Sequence, residues 1–139
     1  MRSISTPDAP KPAGHYSQAI VQSGLVYVAG QLPLDPATGK LVAGGIEEQT
    51  ERTLRNVEAV LEAAGSDLDR VVSVTIYVTD VALWPKVNEV YARVFGDHRP
   101  ARAVVPVLPL RHGAFIEIQA IAAVDTDKVR TTGEHPVVK

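Results

Sequence analysis

The spacing of the apolar residues changes along this chain, and the order of these changes is the strongest constraint on its fold. Alternating apolar residues predict strands at residues 16–21, 25–30, 71–78, 101–107 and 115–124, with a weaker one at 40–43. Two segments with helical spacing lie between them, one at residues 46–64 and one that ends at Gly96. The order β-β-(β)-α-β-α-β-β predicts a single α+β domain in which a mixed sheet packs two helices on one face.

Both predicted helices have an amphipathic pattern with defined ends. The first ends before Gly65, which tolerates the left-handed conformation of a helix stop, and its buried stripe comprises Ile46, Thr50, Leu54, Val57, Leu61 and Ala64. The second begins at a cap formed by Thr79 or Asp80 and tolerates Pro85 in its first turn. Each helix can therefore bury one face against a sheet.

The two ends of the chain differ from its centre. Residues 1–14 contain three prolines and few large apolar groups, which predicts an extended arm that is ordered only where it lies on something else. Residues 125–139 are predicted to form a polar tail. The folded domain is therefore expected to span residues 15–124.

Alternation along the strands assigns their side chains to opposite faces of the sheet. In the strand at residues 25–30, one face is predicted to carry Val26, Val28 and Gly30. In the strand at residues 71–78, one face is predicted to carry Val72, Val74, Ile76 and Val78. In the last two strands we expect one apolar set of side chains to face the helices, namely Ala101, Ala103, Val105, Val107, Ile116, Ile118, Ala120 and Ala122. The opposite face then carries Arg102, Val104, Pro106, Phe115, Glu117, Gln119 and Ile121, with Ser73, Thr75 and Tyr77 beside them.

This opposite face is half apolar and half polar, and the predicted elements include no third layer to cover it. A mixed patch of that size predicts self-association. An interface there would enclose the guanidinium of Arg102 and the carboxylate of Glu117. Their contacts with a ligand would be strengthened because water is excluded.

Composition excludes several classes of site. The 139 residues include no cysteine, which rules out disulfides, thiolate nucleophiles and cysteine-containing zinc sites. The four histidines lack metal-ligand spacing, so we expect no metal. A formal net charge of −2 offers no basic excess for a nucleic acid, and there is no run of about 18 apolar residues to cross a membrane. We therefore expect a soluble cytoplasmic protein.

Several segments, taken together, resemble one known family. The most specific is PARAVV at residues 100–105, which is followed by Leu110 and then by Ile116, Glu117 and Ile118. The others are GHYSQ at residues 14–18, AGQLP at 29–33 and KVNEVY at 86–91. Together they resemble the Rid (YjgF-type) family of reactive-intermediate deaminases over residues 13–124.

The resemblance implies a chorismate-mutase-like fold, a homotrimer and a cofactor-free ligand cleft at each subunit interface. The implied ligand is a small imine or keto acid with a carboxylate. The implied reaction hydrolyses an enamine or imine of the 2-aminoacrylate or 2-iminopropanoate type to a 2-keto acid and ammonia. By the same resemblance, Arg102 binds the substrate carboxylate and Glu117 positions or activates water. Substrate-binding roles are implied for Tyr16, Gly30, Asn88 and the backbone at Val104.

The chemistry of the two charged side chains suits this reaction. A guanidinium presents a planar pair of donors to a carboxylate, and lysine would not replace it well. A carboxylate beside a water can accept its proton and return one to the leaving amine, which needs only a modestly raised pKa. An iminium carbon is already electrophilic, so this hydrolysis needs no metal.

Each assignment has a structural alternative. Arg102 could be an exposed strand residue, and Glu117 could be its partner in a structural ion pair. Tyr16 could be a packing residue of its strand, and Asn88 could brace local backbone.

The chain also departs from the family pattern. Ala29 stands in place of a serine, Val104 in place of a cysteine and Leu108 in place of a small or basic residue. A deaminase stays the favoured interpretation despite these changes, and they open the alternatives of a larger or different imine or of a subgroup without efficient 2-aminoacrylate turnover. Two other functions stay open, namely a non-catalytic trimer that binds small carboxylates or acts like a chaperone and, less favoured, an endoribonuclease.

Overall fold

The computed structural model describes residues 1–124, which form a six-stranded sheet with two helices packed on one face. The strands are β1 (Arg2–Ile4), β2 (Ala19–Gln22), β3 (Leu25–Gln31), β4 (Val71–Val78), β5 (Ala101–Pro106) and β6 (Ile116–Ala123), and the helices are α1 (Ile46–Ala63) and α2 (Trp84–Phe95). The mixed α+β architecture is the predicted one. The polar tail predicted at residues 125–139 lies outside the described residues.

The strand order across the sheet is β1-β2-β3-β6-β4-β5, and every neighbouring pair is antiparallel except β4 and β5. These two strands are parallel because α2 carries the chain back between them, as a parallel pair requires. β5 therefore lies at one edge of the sheet. The other edge is β1, which comes from the segment expected as an extended arm and pairs with β2.

The hydrophobic core lies between the sheet and the helices. All six residues of the predicted α1 stripe are buried, and Gly65 has the left-handed conformation, with φ 83°. The cap predicted for the second helix is only partly confirmed: the Asp80 carboxylate accepts a hydrogen bond of 2.9 Å from the backbone N–H of Ala82, but this bond caps a 3₁₀ turn at Val81–Leu83. The α2 helix itself begins at Trp84, with Leu83 as an N-cap that forms no side-chain hydrogen bond, and Pro85 lies in its first turn. In residues 1–124, no helix combines the length and the hydropathy that crossing a membrane requires.

The loop after β3 contains the turn that its sequence predicts. The Asp35 carboxylate accepts a hydrogen bond of 2.8 Å from the Ala37 N–H, and Gly39 has φ 72°. The strand predicted at residues 40–43 is wrong, since only a single bridge forms there, between Leu34 and Leu41. A segment this short buries too little apolar surface to extend the sheet.

β5 faces the opposite way to the prediction. Its register aligns Arg102, Val104 and Pro106 with residues of β4 that point towards the helices, while Ala101, Ala103 and Val105 are exposed. The prediction failed because an edge strand buries little: only Val104 packs against the core, and small apolar residues occupy both faces. Glu117 pairs with Tyr77 on the open face, so Arg102 and Glu117 leave the sheet on opposite sides.

Two β-bulges move further residues from their predicted faces. One extra residue between Val28 and Gln31 of β3 turns Gly30 to the open face, where an added Cβ would overlap the Glu117 carboxylate. A second irregularity at the start of β4 buries Val71 and exposes Val72. Both predictions were wrong because a bulge interrupts the two-residue period on which they depended.

Candidate active site

The Glu117 carboxylate lies in an open pocket on the sheet face that the helices leave uncovered. This Glu117 pocket has a volume of about 400 Å³ and is lined by Tyr16, Ala29, Gly30, Leu32, Pro109, Leu110, Arg111 and Glu117. Glu117 is half-buried, and no group in residues 1–124 donates a hydrogen bond to its carboxylate. Burial therefore raises the pKa of Glu117. An acid of this kind can take and return a proton more easily near neutral pH than a solvated one.

The bulge in β3 brings the carboxylate against the backbone. Because Gly30 has no side chain, Glu117 can occupy the space where a Cβ would stand. The Gln31 side chain donates a hydrogen bond of 3.1 Å to the carbonyl of Ala29 and so braces the bulge. The sequence pattern placed Gly30 on the wrong face, and the structure places it beside Glu117 in the pocket lining.

Two buried amides of α1 hold the pocket walls. Asn56 donates hydrogen bonds of 3.0 and 2.9 Å to the carbonyls of Leu32 and Leu34, in the segment after β3. Gln49 accepts a hydrogen bond of 2.8 Å from the backbone N–H of Phe115, just before β6. Sequence reasoning missed both residues. A signal was present, because amides on the buried side of an apolar helix need partners there.

Gln18 holds the N-terminal segment beside the pocket. Its buried amide donates hydrogen bonds of 3.0 Å to the carbonyls of Thr6 and Pro10 and accepts one of 2.7 Å from the Thr6 N–H. The Tyr16 hydroxyl accepts a bond of 3.3 Å from the Ala13 N–H. Residues 6–13 are thereby fastened next to Tyr16, which is half exposed at the pocket.

Arg102 lies on the other side of the sheet edge, where it is held by α2. Its guanidinium carbon is 4.7 Å from the ring centroid of Trp84 and 4.7 Å from that of Tyr91. Nη1 donates a hydrogen bond of 3.0 Å to Oδ1 of Asn88. Cation–π contacts on two rings restrict the orientation of the planar group. Within the described chain no carboxylate pairs with Arg102, which leaves most of its donors for an acidic ligand.

Arg102 itself is exposed, but Tyr91, one of the two rings against it, is buried. Burial raises the pKa of Tyr91, and the neighbouring Arg102 charge opposes that shift. Val104, two residues further along β5, packs against the core and places its backbone at the same sheet edge. We call this group the Arg102 surface; it consists of Trp84, Asn88, Tyr91, Arg102 and Val104.

The predicted site residues therefore form two groups in one chain. Tyr16 and Gly30 share the pocket with Glu117, whereas Asn88 and Val104 accompany Arg102. The interpretation of Arg102 and Glu117 as an ion pair within the chain is wrong, because they lie on opposite faces of the sheet.

Sequence reasoning also missed the aromatic contacts of Arg102. Trp84, Asn88 and Tyr91 are spaced by four and three residues on α2, which places them on one face of the helix. That spacing was the available signal. The helical spacing could not indicate that these side chains contact Arg102, because β5 lies beside α2 only in the tertiary fold.

The fold is a small α+β domain that presents a half-buried carboxylate at an open pocket and, on a separate surface, a guanidinium held by two aromatic rings. Comparison with known proteins gives its family. The model of the Endoribonuclease L-PSP family matches residues 6–124. A RutC family protein of Pyrococcus horikoshii is 50% identical over 119 residues, which cover 86% of this chain and 94% of that protein.

Two further comparisons agree. The human 2-iminobutanoate/2-iminopropanoate deaminase is 41% identical over 121 residues, which cover 87% of this chain and 88% of the human protein. The crystal structure of YyfA from Yersinia pestis, a Rid-family protein, has a TM-score of 0.86 and 44% identity, covering 88% of this chain and 98% of YyfA. The chain belongs to the Endoribonuclease L-PSP (YjgF/Rid) family.

Proposed function

We propose that this protein hydrolyses enamine and imine intermediates of the 2-aminoacrylate and 2-iminopropanoate type to 2-keto acids and ammonia. The observation that carries the proposal is the half-buried Glu117 carboxylate, which has no partner in residues 1–124 and borders a pocket large enough for a small acid. The guanidinium of Arg102, which forms an ion pair with no carboxylate in residues 1–124, supports it by supplying a group that binds carboxylates. The human relative carries the name of this activity.

The reaction requires Arg102 and Glu117 at one substrate, yet a single chain presents them on separate surfaces. We therefore propose a homotrimer in which the Arg102 surface of one subunit covers the Glu117 pocket of its neighbour. Such an assembly would also cover Tyr27, Val72 and Phe115, which are exposed large apolar residues on or beside the open face. Closed cyclic symmetry gives every subunit the same contacts, and the family resemblance selects three subunits.

In this arrangement Arg102 binds the substrate carboxylate through two parallel hydrogen bonds. The Glu117 carboxylate of the neighbouring subunit accepts a proton from a water whose oxygen forms a bond with C2 of the imine. It then donates a proton to the nitrogen of the tetrahedral intermediate. The same carboxylate then moves the proton of the new C2 hydroxyl to the nitrogen as the C–N bond breaks, so that the C=O bond of the keto acid forms and ammonia leaves. Tyr16 and Gly30 shape the wall beside this carbon.

A coupled assay tests the proposal. An amino-acid oxidase generates imine continuously, and the release of keto acid is followed with and without this protein. We expect the release to exceed spontaneous hydrolysis in proportion to protein concentration, and we expect Arg102→Ala and Glu117→Gln each to abolish the excess.

The matched control is Arg93→Ala. Arg93 is an exposed residue of α2 that pairs with Glu51 at 3.0 Å and belongs to neither surface, so this variant should keep the activity. Keto-acid binding without any acceleration would contradict the proposal and favour a non-catalytic carboxylate-binding protein.

A further inference from the structure

A narrow recess continues the Glu117 pocket behind Tyr16. It shares Tyr16, Gly30, Leu32 and Arg111 with that pocket and has a volume of about 40 Å³. A water-sized group requires about 10–15 Å³, so the recess accommodates roughly three such groups, which is the size of a carboxylate. A substrate bound beside Glu117 could therefore extend a second small group into the recess.

The lining of this recess is cationic. Its charged or titratable members besides Tyr16 are Lys11, Arg111 and His112, and none of the described residues that line it is a carboxylate. Arg111 also lines the Glu117 pocket, where it is the only cationic member of the lining. No carboxylate in residues 1–124 forms an ion pair with Arg111. A concave surface with this charge attracts anions.

The walls that carry Lys11 and Arg111 are held by the fold. Lys11 follows Pro10, whose carbonyl accepts a hydrogen bond of 3.0 Å from the Gln18 amide. Arg111 begins a single 3₁₀ turn in which His112 has φ 63°, a left-handed conformation that persists only where surrounding structure imposes it. The Ala114 N–H closes this turn with a bond of 3.1 Å to the Arg111 carbonyl. The position of Arg111 at the recess therefore follows from backbone geometry.

We propose that Arg111, assisted by Lys11 and His112, binds a second acidic group of the substrate. The preferred substrates are then imines of dicarboxylic 2-keto acids, such as the imine of 2-oxoglutarate, rather than imines with a neutral side chain. Arg102 of one subunit binds the carboxylate at C1, Arg111 of the neighbour binds the side-chain carboxylate, and Glu117 faces C2 between them. This inference rests on the proposed function and names its substrate class.

Calorimetry with stable products tests the preference without catalysis. On the full-length protein we expect 2-oxoglutarate to bind about tenfold more tightly than 2-oxobutanoate, because a charge-assisted contact is added. Arg111→Gln should remove this difference, and Arg111→Lys, which keeps the charge, should retain most of it. The control Arg93→Gln should leave it unchanged. Equal affinities in the unaltered protein, or a difference that survives Arg111→Gln, would overturn the inference.

Kinetics separate this inference from the proposed function. With imines generated from glutamate and from 2-aminobutanoate, the ratio of their kcat/KM values should fall about tenfold in Arg111→Gln. If both imines are hydrolysed but the ratio does not depend on Arg111, the inference is wrong and the proposed function stands. If neither imine is hydrolysed while the binding preference still requires Arg111, the proposed function is wrong and the recess remains a dicarboxylate-binding site.

Discussion

At the scale of single residues, Glu117 shows how a functional group can oppose stability. Its carboxylate is half-buried without a hydrogen-bond donor in residues 1–124, so its pKa is raised in the folded chain. The folded state therefore holds that proton more tightly than the unfolded state does. The resulting stabilisation is complete below the unfolded pKa and is lost as the pH rises through the folded pKa.

We predict that Glu117→Gln increases the free energy of unfolding at neutral pH while it abolishes turnover. The glutamine amide carries no charge, so folding does not pay for desolvating a carboxylate. The gain in the free energy of unfolding should disappear in acid, where Glu117 of the unaltered protein is protonated and also uncharged. Chemical denaturation of the variant and of the unaltered protein, at neutral and at acidic pH, measures the difference in the free energy of unfolding under each condition. A variant that is less stable than the unaltered protein at neutral pH would show that the carboxylate has a stabilising partner in the assembly.

Gly30 provides a second prediction at this scale. In Gly30→Ala the new Cβ would overlap the Glu117 carboxylate, which is the flexible end of a side chain and can move away. We therefore expect a large loss of kcat with a small change in unfolding midpoint, since displacement of a reacting group by about 1 Å can lower rates about 100-fold. Gly14→Ala is the control, because its Cβ would meet only Tyr16 at an ordinary 3.6 Å. Unchanged kcat in Gly30→Ala would argue against Glu117 as the catalytic carboxylate.

At the scale of elements, α1 both fills the core and supports the site. Leu54, Val57 and Leu61 pack against the sheet, while Gln49 and Asn56 of the same helix bond to the loops beside the Glu117 pocket. The apolar periodicity predicted the first role. The second depends on which loop carbonyls and N–H groups lie opposite the helix, so periodicity could not indicate it.

We predict that Asn56→Leu lowers the free energy of unfolding by about 2–4 kcal/mol, because the buried carbonyl of Leu34 and the partly buried carbonyl of Leu32 lose their donor. The loop after β3 should then move, and KM should rise in the fraction that remains folded. Urea denaturation and steady-state kinetics measure the two effects. Glu58→Ala, on the same helix but with a partly exposed side chain, should change stability by less than about 1 kcal/mol; a similar loss in both variants would contradict a specific role for Asn56.

At the scale of the whole molecule, the proposed function together with the separation of the Arg102 surface from the Glu117 pocket predicts that catalysis needs a second subunit. Light scattering should give three times 14.9 kDa. Arg102→Ala and Glu117→Gln should each be inactive alone and should recover activity when refolded together. Mixed trimers contain some sites with an intact Arg102 from one chain and an intact Glu117 from the other. A monomer mass at micromolar concentration, or no recovery in verified mixed trimers, would contradict the shared site.

The sequence by itself determined the alternation of the two helices with β2 to β6, both ends of α1, the end of α2, the turn at residues 35–39 and the family, because each depends on local spacing, capping or a contiguous motif. It missed β1 and predicted a strand at residues 40–43 that does not form. Only the tertiary structure decided that Gly30 lies against Glu117 and that Trp84 and Tyr91 hold Arg102. It also decided that Arg102 and Glu117 point away from each other. Bulges and the weak apolar pattern of an edge strand set these positions, and both depend on pairing between segments distant in sequence.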